Sequence, residues 1–503
     1  MEAACTSRFQ FKKGWIEKTM ITFSPNKLNR LFVFACVLCI SLFLVAPHAE
    51  AKPPDYNGGV ANEYIYEEVF FLTGHPIEFS GKATITEKEN KGKVTSTYRF
   101  TLTGKNGEKL TRSVVYVADL EKREDKGQTT SNSSIKSYSE KITMPDKTTY
   151  TLDDYQFSQG TVIDNRPASD YYSGNVVGRK IYKVKYGSTK TEDFITVHFS
   201  GRNMGYENFW GATETQLIDY EIVKPNGQSA FVTSKVSDSK SRVLQYEPHD
   251  PSLSSFTGGH AVISESNMIG EYTYNIPYGD GVGTIHLNRK RTPKIERLIV
   301  PKFRDLNKHW AKDHIEKLYS LGVFDETTQF FSPNTPMKRY QYTVGILKAV
   351  DIRVLEEPKS KKKAPRTPIF KDLNVKDPDY LYIESAVEKG IITGVTPDRF
   401  DPDAPLTRVQ AIAILVRALG MEGRAPSPGF RTHYVDDYQI ADWAKDSVYV
   451  ATELGLVSGD ERNRFNPKQP LTRAQAAALT SRFLEFLEDD LQQNYRDDIL
   501  FFN

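Results

Sequence analysis

The sequence predicts a multidomain chain: an N-terminal, mostly-β, antiparallel and sandwich-like region followed by an α-helical bundle. Three observations carry this. At 503 residues the chain exceeds what one ordinary core organises. From Lys52 to about Val300 apolar and polar side chains alternate with period two, and from Phe303 the period becomes helical while one phrase recurs three times.

The first element is a leader. "LFVFACVLCISLFLV", Leu31 to Val45, follows Lys27 and Arg30 and precedes the small-x-small triplet Ala49, Glu50, Ala51. Residues 1–51 therefore read as a signal peptide with an N-terminal extension, Met20 being an alternative start to Met1, with cleavage after Ala51. The run is short for a span of about 20 residues, so no stable membrane span is expected after cleavage. The three cysteines, Cys5, Cys36 and Cys39, all leave with it. A mature chain without cysteine has no disulfide, thiolate metal site or cysteine nucleophile, which suits an exported protein of a Gram-positive-type bacterium.

Residues 52–300 read as a β-rich surface module. "KVTSTYRFTLTG", "RSVVYVADLE", "RKIYKVKYG" and "EDFITVHFSG" are half-buried strands, in one elongated sandwich or two small ones in series. Asn106-Gly107 and Asn226-Gly227 suit tight hairpins in which both central residues take positive φ. "EKREDKGQTTSNSSIK" from Glu121 reads as a long polar loop. "GRNMGYENFWGATE" from Gly201 is either a carbohydrate-stacking patch or a loop folded onto the sandwich edge through Tyr206, Phe209 and Trp210, and the second is favoured by the usual burial of aromatics.

The helical part begins with "FRDLNKHWAKDHIEKLYSLGVF", whose Ala311, Ile315, Leu318 and Tyr319 share a face before Gly322. Two similar segments end at Gly390 and Gly455. Each is followed by Phe-x-Pro (Phe331, Phe400, Phe465), and eight residues beyond each phenylalanine stands Arg339, Arg408 or Arg473. Thr407 with Gln410, and Thr472 with Gln475, form capping boxes. The arginines are not explained by capping, since their charge opposes the helix dipole. Taken singly each would pair with an acid such as Asp401 or Asp403; recurrence at one offset favours a ligand. Trp310 and Trp443, at the start of the apolar faces, are expected in the core.

Composition narrows the chemistry. A formal charge of +2 gives no argument for nucleic acid. The sequence holds no H-E-x-x-H, G-x-S-x-G or P-loop, and His75, His198, His249, His260 and His286 are scattered singly, so no catalytic residue, metal or cofactor is expected. Asp164 with Asp170, and Asp398 with Asp401, lack calcium-loop spacing. Carboxylates paired in space for glycoside hydrolysis remain an alternative.

The repeats resemble the S-layer homology (SLH) domain. Phe303, Asp305, Trp310 and Ala311, then Phe370 and Asp372, then Trp443 and Ala444, stand where that family has F-x-D and W-A. The family phrase L-T-R-A-E appears as "LTRVQ" and "LTRAQ", and more loosely as "MKRYQ". Gln replaces the family glutamate at Gln341, Gln410 and Gln475; Lys338 replaces the cap threonine in unit one, and Pro378 the tryptophan of unit two. Unit one also lacks the loop glycine found at Gly394 and Gly459. The resemblance implies SLH units at 303–351, 369–421 and 430–488, with a linker at 352–368 and a tail at 489–503. It also implies a pseudo-threefold bundle whose grooves bind secondary cell-wall polysaccharide, often pyruvylated, through Arg339, Arg408 and Arg473, with Thr407, Thr472, Gln410 and Gln475 beside them. Each arginine would join unpaired first-turn amides in holding one anion. The chain thus reads as an exported, non-catalytic surface protein anchored to the wall. The alternatives are a wall-anchored polysaccharide- or peptidoglycan-acting hydrolase and, below it, a self-assembling lattice protein.

Overall fold

The computed structural model describes residues 58–123, 126–187, 191–247, 258–324, 328–351, 367–427 and 429–490. The leader, almost all of the 352–368 linker and nearly all of the tail lie outside the described residues.

The β region is one antiparallel meander. Its strands are β1 (Val60–Ala61), β2 (Tyr66–Phe70), β3 (Ile77–Asn90), β4 (Lys93–Gly104), β5 (Lys109–Arg123), β6 (Gln128–Thr143) and β7 (Thr149–Asn165). They continue as β8 (Ser169–Lys185), β9 (Glu192–Asn208), β10 (Gly211–Val223), β11 (Ser229–Glu247), β12 (Gly259–Ile276), β13 (Gly281–Lys290) and β14 (Lys294–Arg297). Each strand from β1 to β13 pairs with the next in sequence, and β14 pairs with β12. A single, nearly closed sheet thus stands in place of the stacked sheets of a sandwich. Its seam is bridged by an Arg289–Glu67 ion pair, by the Asp280 amide donating to the Gly74 carbonyl at 3.3 Å, and by Tyr272 donating to the Gly58 carbonyl. Closure suits the alternation seen in strands such as β4, β5 and β7, where buried and exposed residues follow one another along the strand.

Two local expectations change. "EKREDKGQTTSNSSIK" is no loop: β5 and β6 pair along it, Glu121 opposite Thr130, and Thr129, Ser131 and Ser133 are buried. Its hydroxyls face a polar stretch of the interior, so the period-two signal is carried by serine and threonine instead of apolar residues. In both predicted hairpins the glycine alone is left-handed among the Asn-Gly pair, with φ of 93° at Gly107 and 81° at Gly227. Gly107 donates to the Gly104 carbonyl and Gly227 to that of Lys224, which closes a turn with a left-handed fourth residue.

The interior also holds a cluster of four charged side chains. Arg112 (β5) donates to both oxygens of Glu68 (β2), at 2.8 and 2.9 Å, and of Glu140 (β6), at 2.7 and 3.2 Å. Lys180 (β8) lies 3.7 Å from Glu140 and over the Tyr155 ring. Burial pushes the Glu140 carboxyl up, but Arg112 and then Lys180 hold it down at about 2; burial pulls the Lys180 amine down to about 8 against Glu140.

The helices are α1 (Lys312–Ser320), α2 (Arg339–Ala349), α3 (Tyr380–Glu388), α4 (Arg408–Leu419), α5 (Asp442–Glu453) and α6 (Arg473–Glu485). Gly322, Gly390 and Gly455 are left-handed just past α1, α3 and α5, as expected of stop signals. The helices share one core with the lower β8–β10 edge: Ala168, Tyr206 and Trp210 are buried among them. Trp210 donates to the Ala349 carbonyl at 3.1 Å and the Ala168 amide to that of Ala418 at 3.0 Å. The aromatic patch from Gly201 is therefore neither sugar-facing nor folded onto its own sheet. Its Trp210 caps the C-terminus of α2, whose last carbonyls need donors.

Candidate functional site

The three arginines are placed by a staple. Asp305, Asp372 and Asp436 each accept two backbone amides from the Phe-x-Pro loop, Phe331 with Ser332, Phe400 with Asp401 and Phe465 with Asn466, all between 2.6 and 2.9 Å. Ser332, Asp401 and Asn466 are left-handed, at φ 59°, 63° and 56°, a conformation short polar residues tolerate. Beyond the loops Met337, Leu406 and Leu471 close a ring: Met337 donates to Leu471, Leu471 to Leu406 and Leu406 to Met337, at 2.8 to 2.9 Å.

That ring removes the expected amide site. The Arg339, Arg408 and Arg473 amides donate to Ala404, Gln469 and Thr335, and the next amides to Pro402, Pro467 and Pro333. Thr407 with Gln410, and Thr472 with Gln475, form capping boxes as predicted. The first two amides of each of these helices are thus consumed between units and are not free to hold an anion.

The guanidinium groups do not pair with Asp401 or Asp403; Lys338 takes Asp403 at 2.7 Å and Arg399 takes Asp401 at 3.3 Å. Each arginine instead lies over a phenylalanine of the following unit: Arg339 over Phe400 at 4.7 Å, Arg408 over Phe465 at 5.1 Å and Arg473 over Phe331 at 4.2 Å. Arg339 donates to the Thr393 carbonyl at 2.6 Å and Arg408 to that of Ser458 at 2.7 Å. Burial weakens the hold of both on their protons. Arg339 and Arg473 are 8% exposed, while Arg408 is half-buried.

Two of them open onto grooves. In the first, of about 360 Å³, Arg339 of unit one meets loop 391–395 and α4 of unit two (Gln410, Arg417) and Trp443 of unit three. In the second, of about 290 Å³, Arg408 of unit two meets loop 456–460 and α6 of unit three (Gln475, Arg482) and Trp310 of unit one. Each is built from all three units in cyclic order. Gly394 and Gly459 line them at equivalent places; a Cβ at Gly394 would fall 2.2 Å from the Thr396 carbonyl and 2.5 Å from Phe370. The tryptophans are not core: Trp310 is 63% and Trp443 51% exposed. Sequence reasoning missed both tryptophans, Arg417 and Arg482, although Trp310 and Trp443 were already visible as repeated residues.

The third arginine differs. Arg473 donates to the Gln341 side chain at 3.1 Å, and Lys348, equivalent to Arg417, pairs with Asp379 at 3.0 Å. At the tryptophan position stands Pro378, and unit one offers no loop glycine.

Residues 302–343, 369–412 and 433–477 match the family described as S-layer homology domain. The chain carries three tandem SLH domains. The chain is 32% identical over 207 residues to an exoglucanase, XynX, of Acetivibrio thermocellus, covering 41% of this chain and 18% of the relative. It is 34% identical over 185 residues to an endoglucanase of Bacillus sp. strain KSM-635, 36% and 18% of the two chains. To the surface-layer 125 kDa protein of Lysinibacillus sphaericus it is 29% identical over 190 residues, 37% and 15%. The chain thus spans less than a fifth of each of these relatives. Among the described residues no SLH or other helix is long and apolar enough to cross a membrane.

Proposed function

We propose that this is an exported, cell-surface protein held on the wall of a Gram-positive-type bacterium by its SLH domains, with the β barrel displayed as a non-catalytic module. Three tandem SLH matches and the similarity to surface-layer proteins support the attachment. The observation that carries the reading is the pair of grooves, each with an arginine, an exposed tryptophan and a carboxamide converging on one cleft. A planar indole suits the apolar face of a sugar ring, and guanidinium and carboxamide suit its oxygens. The ligand is secondary cell-wall polysaccharide, and a pyruvate ketal is one acidic substituent that would meet the arginines. The ring of three hydrogen bonds supports a pseudo-threefold bundle with two working grooves, Arg473 serving chiefly to join units three and one. Two sites on one chain raise avidity for a repeating polymer.

A hydrolase reading draws on the names of the glucanase relatives, but those matches cover at most 41% of this chain. Of the carboxylates in the β region, Glu68 and Glu140 lie close together, buried and bound by Arg112. A carboxylate so held is a poor proton donor.

The test is co-sedimentation of the chain with purified wall sacculi, before and after hydrofluoric acid strips the polysaccharide. Binding lost on stripping supports the reading; binding retained assigns the partner to peptidoglycan and overturns it.

A further inference from the structure

The barrel encloses a cavity of about 80 Å³, room for several waters or one ring-sized organic molecule. Its lining comes from β2, β5 and β8 to β12, and from Phe71 and Leu72 just beyond β2. Much of the wall is apolar, with Phe71, Leu72, Val197 and Val232 buried around it. Two polar groups reach it short of partners. Ser234 (β11) is 2% exposed, and its hydroxyl has no hydrogen-bond partner among the described residues. Lys180 (β8) is 5% exposed and carries three donors, yet its ion-pair partner Glu140 lies 3.7 Å away. Both Glu140 oxygens are already occupied, accepting from Arg112 and Tyr182, and both Glu68 oxygens accept from Arg112. Buried ammonium and hydroxyl groups are ordinarily satisfied, because leaving them unpaired is costly, so these two face the cavity as ready contacts for a ligand.

We propose that the barrel interior is a binding site for a small uncharged molecule with an apolar body and a carbonyl-type oxygen, the oxygen accepting from Lys180 and the body lying against Phe71, Leu72, Val197 and Val232. Charge selects against ions: Arg112 and Lys180 already balance Glu68 and Glu140, so a charged ligand would bury an uncompensated charge. The apolar wall selects against sugars, most of whose hydroxyls it would strand. An ammonium donating inside a low-dielectric cavity makes a strong hydrogen bond to a neutral oxygen, and the Ser234 hydroxyl offers a second contact. The cavity lies beside the seam. Phe71 and Leu72 lead into the turn where His75 meets Asp280 at 2.5 Å and the Asp280 amide meets the Gly74 carbonyl, contacts that stand in place of a continuous ladder. Parting the barrel there breaks fewer backbone hydrogen bonds than parting two laddered strands, which gives a ligand its way in. Among the described residues no SLH residue lines the cavity, so the site is independent of wall attachment.

The experiment is ligand-observed NMR titration of the full chain with three probes: cyclohexanone, toluene and benzoate. Cyclohexanone and toluene are expected to bind, and benzoate is not. Lys180→Met is expected to weaken cyclohexanone about tenfold, the worth of one hydrogen bond to a charged group, while leaving toluene within about twofold. Val232→Phe, which fills the cavity, is expected to abolish binding of both. Retained sacculus binding and a native near-ultraviolet dichroism spectrum show that each variant is folded; where Val232→Phe fails that check, the Lys180→Met comparison decides alone. Failure of cyclohexanone and toluene to bind the folded wild-type chain makes the cavity a site for water only and overturns the proposal. Equal weakening of both probes by Lys180→Met overturns the assignment of the oxygen to Lys180, and tighter binding of benzoate than of cyclohexanone overturns the preference for an uncharged ligand. Undiminished binding to folded Val232→Phe places the probes elsewhere and overturns the site itself.

Discussion

At the residue scale, an arginine at the first helical position does two things at once. Its stem and guanidinium plane cover a phenylalanine of the next unit, one donor holds a loop carbonyl, and what remains faces the groove. An ammonium cannot replace a planar fork in that role. Arg408→Lys is therefore expected to weaken sacculus binding about as severely as Arg408→Ala, measured by co-sedimentation. Arg473→Ala should act otherwise: with its guanidinium over Phe331 and Phe324 and bonded to Gln341, its loss is expected to lower the melting temperature, at about 1 to 2 kcal/mol, with little effect on wall affinity. The offsets of the arginines were legible because a repeat exposes position. Their surroundings were not, since Phe400, Phe465 and Phe331 come from neighbouring units. The tryptophans were misjudged for a related reason: a large aromatic next to an apolar face is usually core, and only the groove formed by another unit shows otherwise.

At the scale of elements, the SLH units are held by backbone accounting more than by helix propensity. Carboxylates of Asp305, Asp372 and Asp436 close the loops, capping boxes start α4 and α6, and first-turn amides run to the next unit. The capping pairs and the glycine stops could be read from sequence because they act within a few residues. The inter-unit hydrogen bonds could not, and they overturned the idea of a free amide nest for an anion. Gly394 is the sharpest test of loop geometry: Gly394→Ala sets a methyl against the Thr396 carbonyl and Phe370, and is expected to cost about 1 to 3 kcal/mol by thermal unfolding while impairing the first groove.

For the whole molecule, barrel and SLH bundle are one packed body through Trp210 and Ala168, which cap α2 and α4. Period two in the sequence revealed the strands but not their closure, because alternation is the same in a sandwich and in a barrel. The buried quartet was equally hidden, its members lying on four separate strands. Arg112→Met would leave Glu68 and Glu140 with Lys180 as their one remaining cation in the cluster and without the guanidinium hydrogen bonds, and is expected to cost about 3 to 5 kcal/mol. The pH dependence follows from the same cluster. Glu140 sits well below its ordinary value, so its contribution is present above about 4.5 and lost as pH falls toward about 2. Lys180 is lowered to about 8 from 10.5, so the unfolded chain binds the extra proton and stability gains from this group as pH rises between those values. Unfolding midpoints across the acid range and between about pH 8 and 10.5, compared with those of Lys180→Met, check both signs.

The most direct measurement is a crystal structure of the chain with a fragment of its wall polysaccharide. The account predicts a sugar ring against Trp310 with its oxygens on Arg408, and a second ring against Trp443. Saccharide bound on the barrel, or on neither tryptophan, would contradict it.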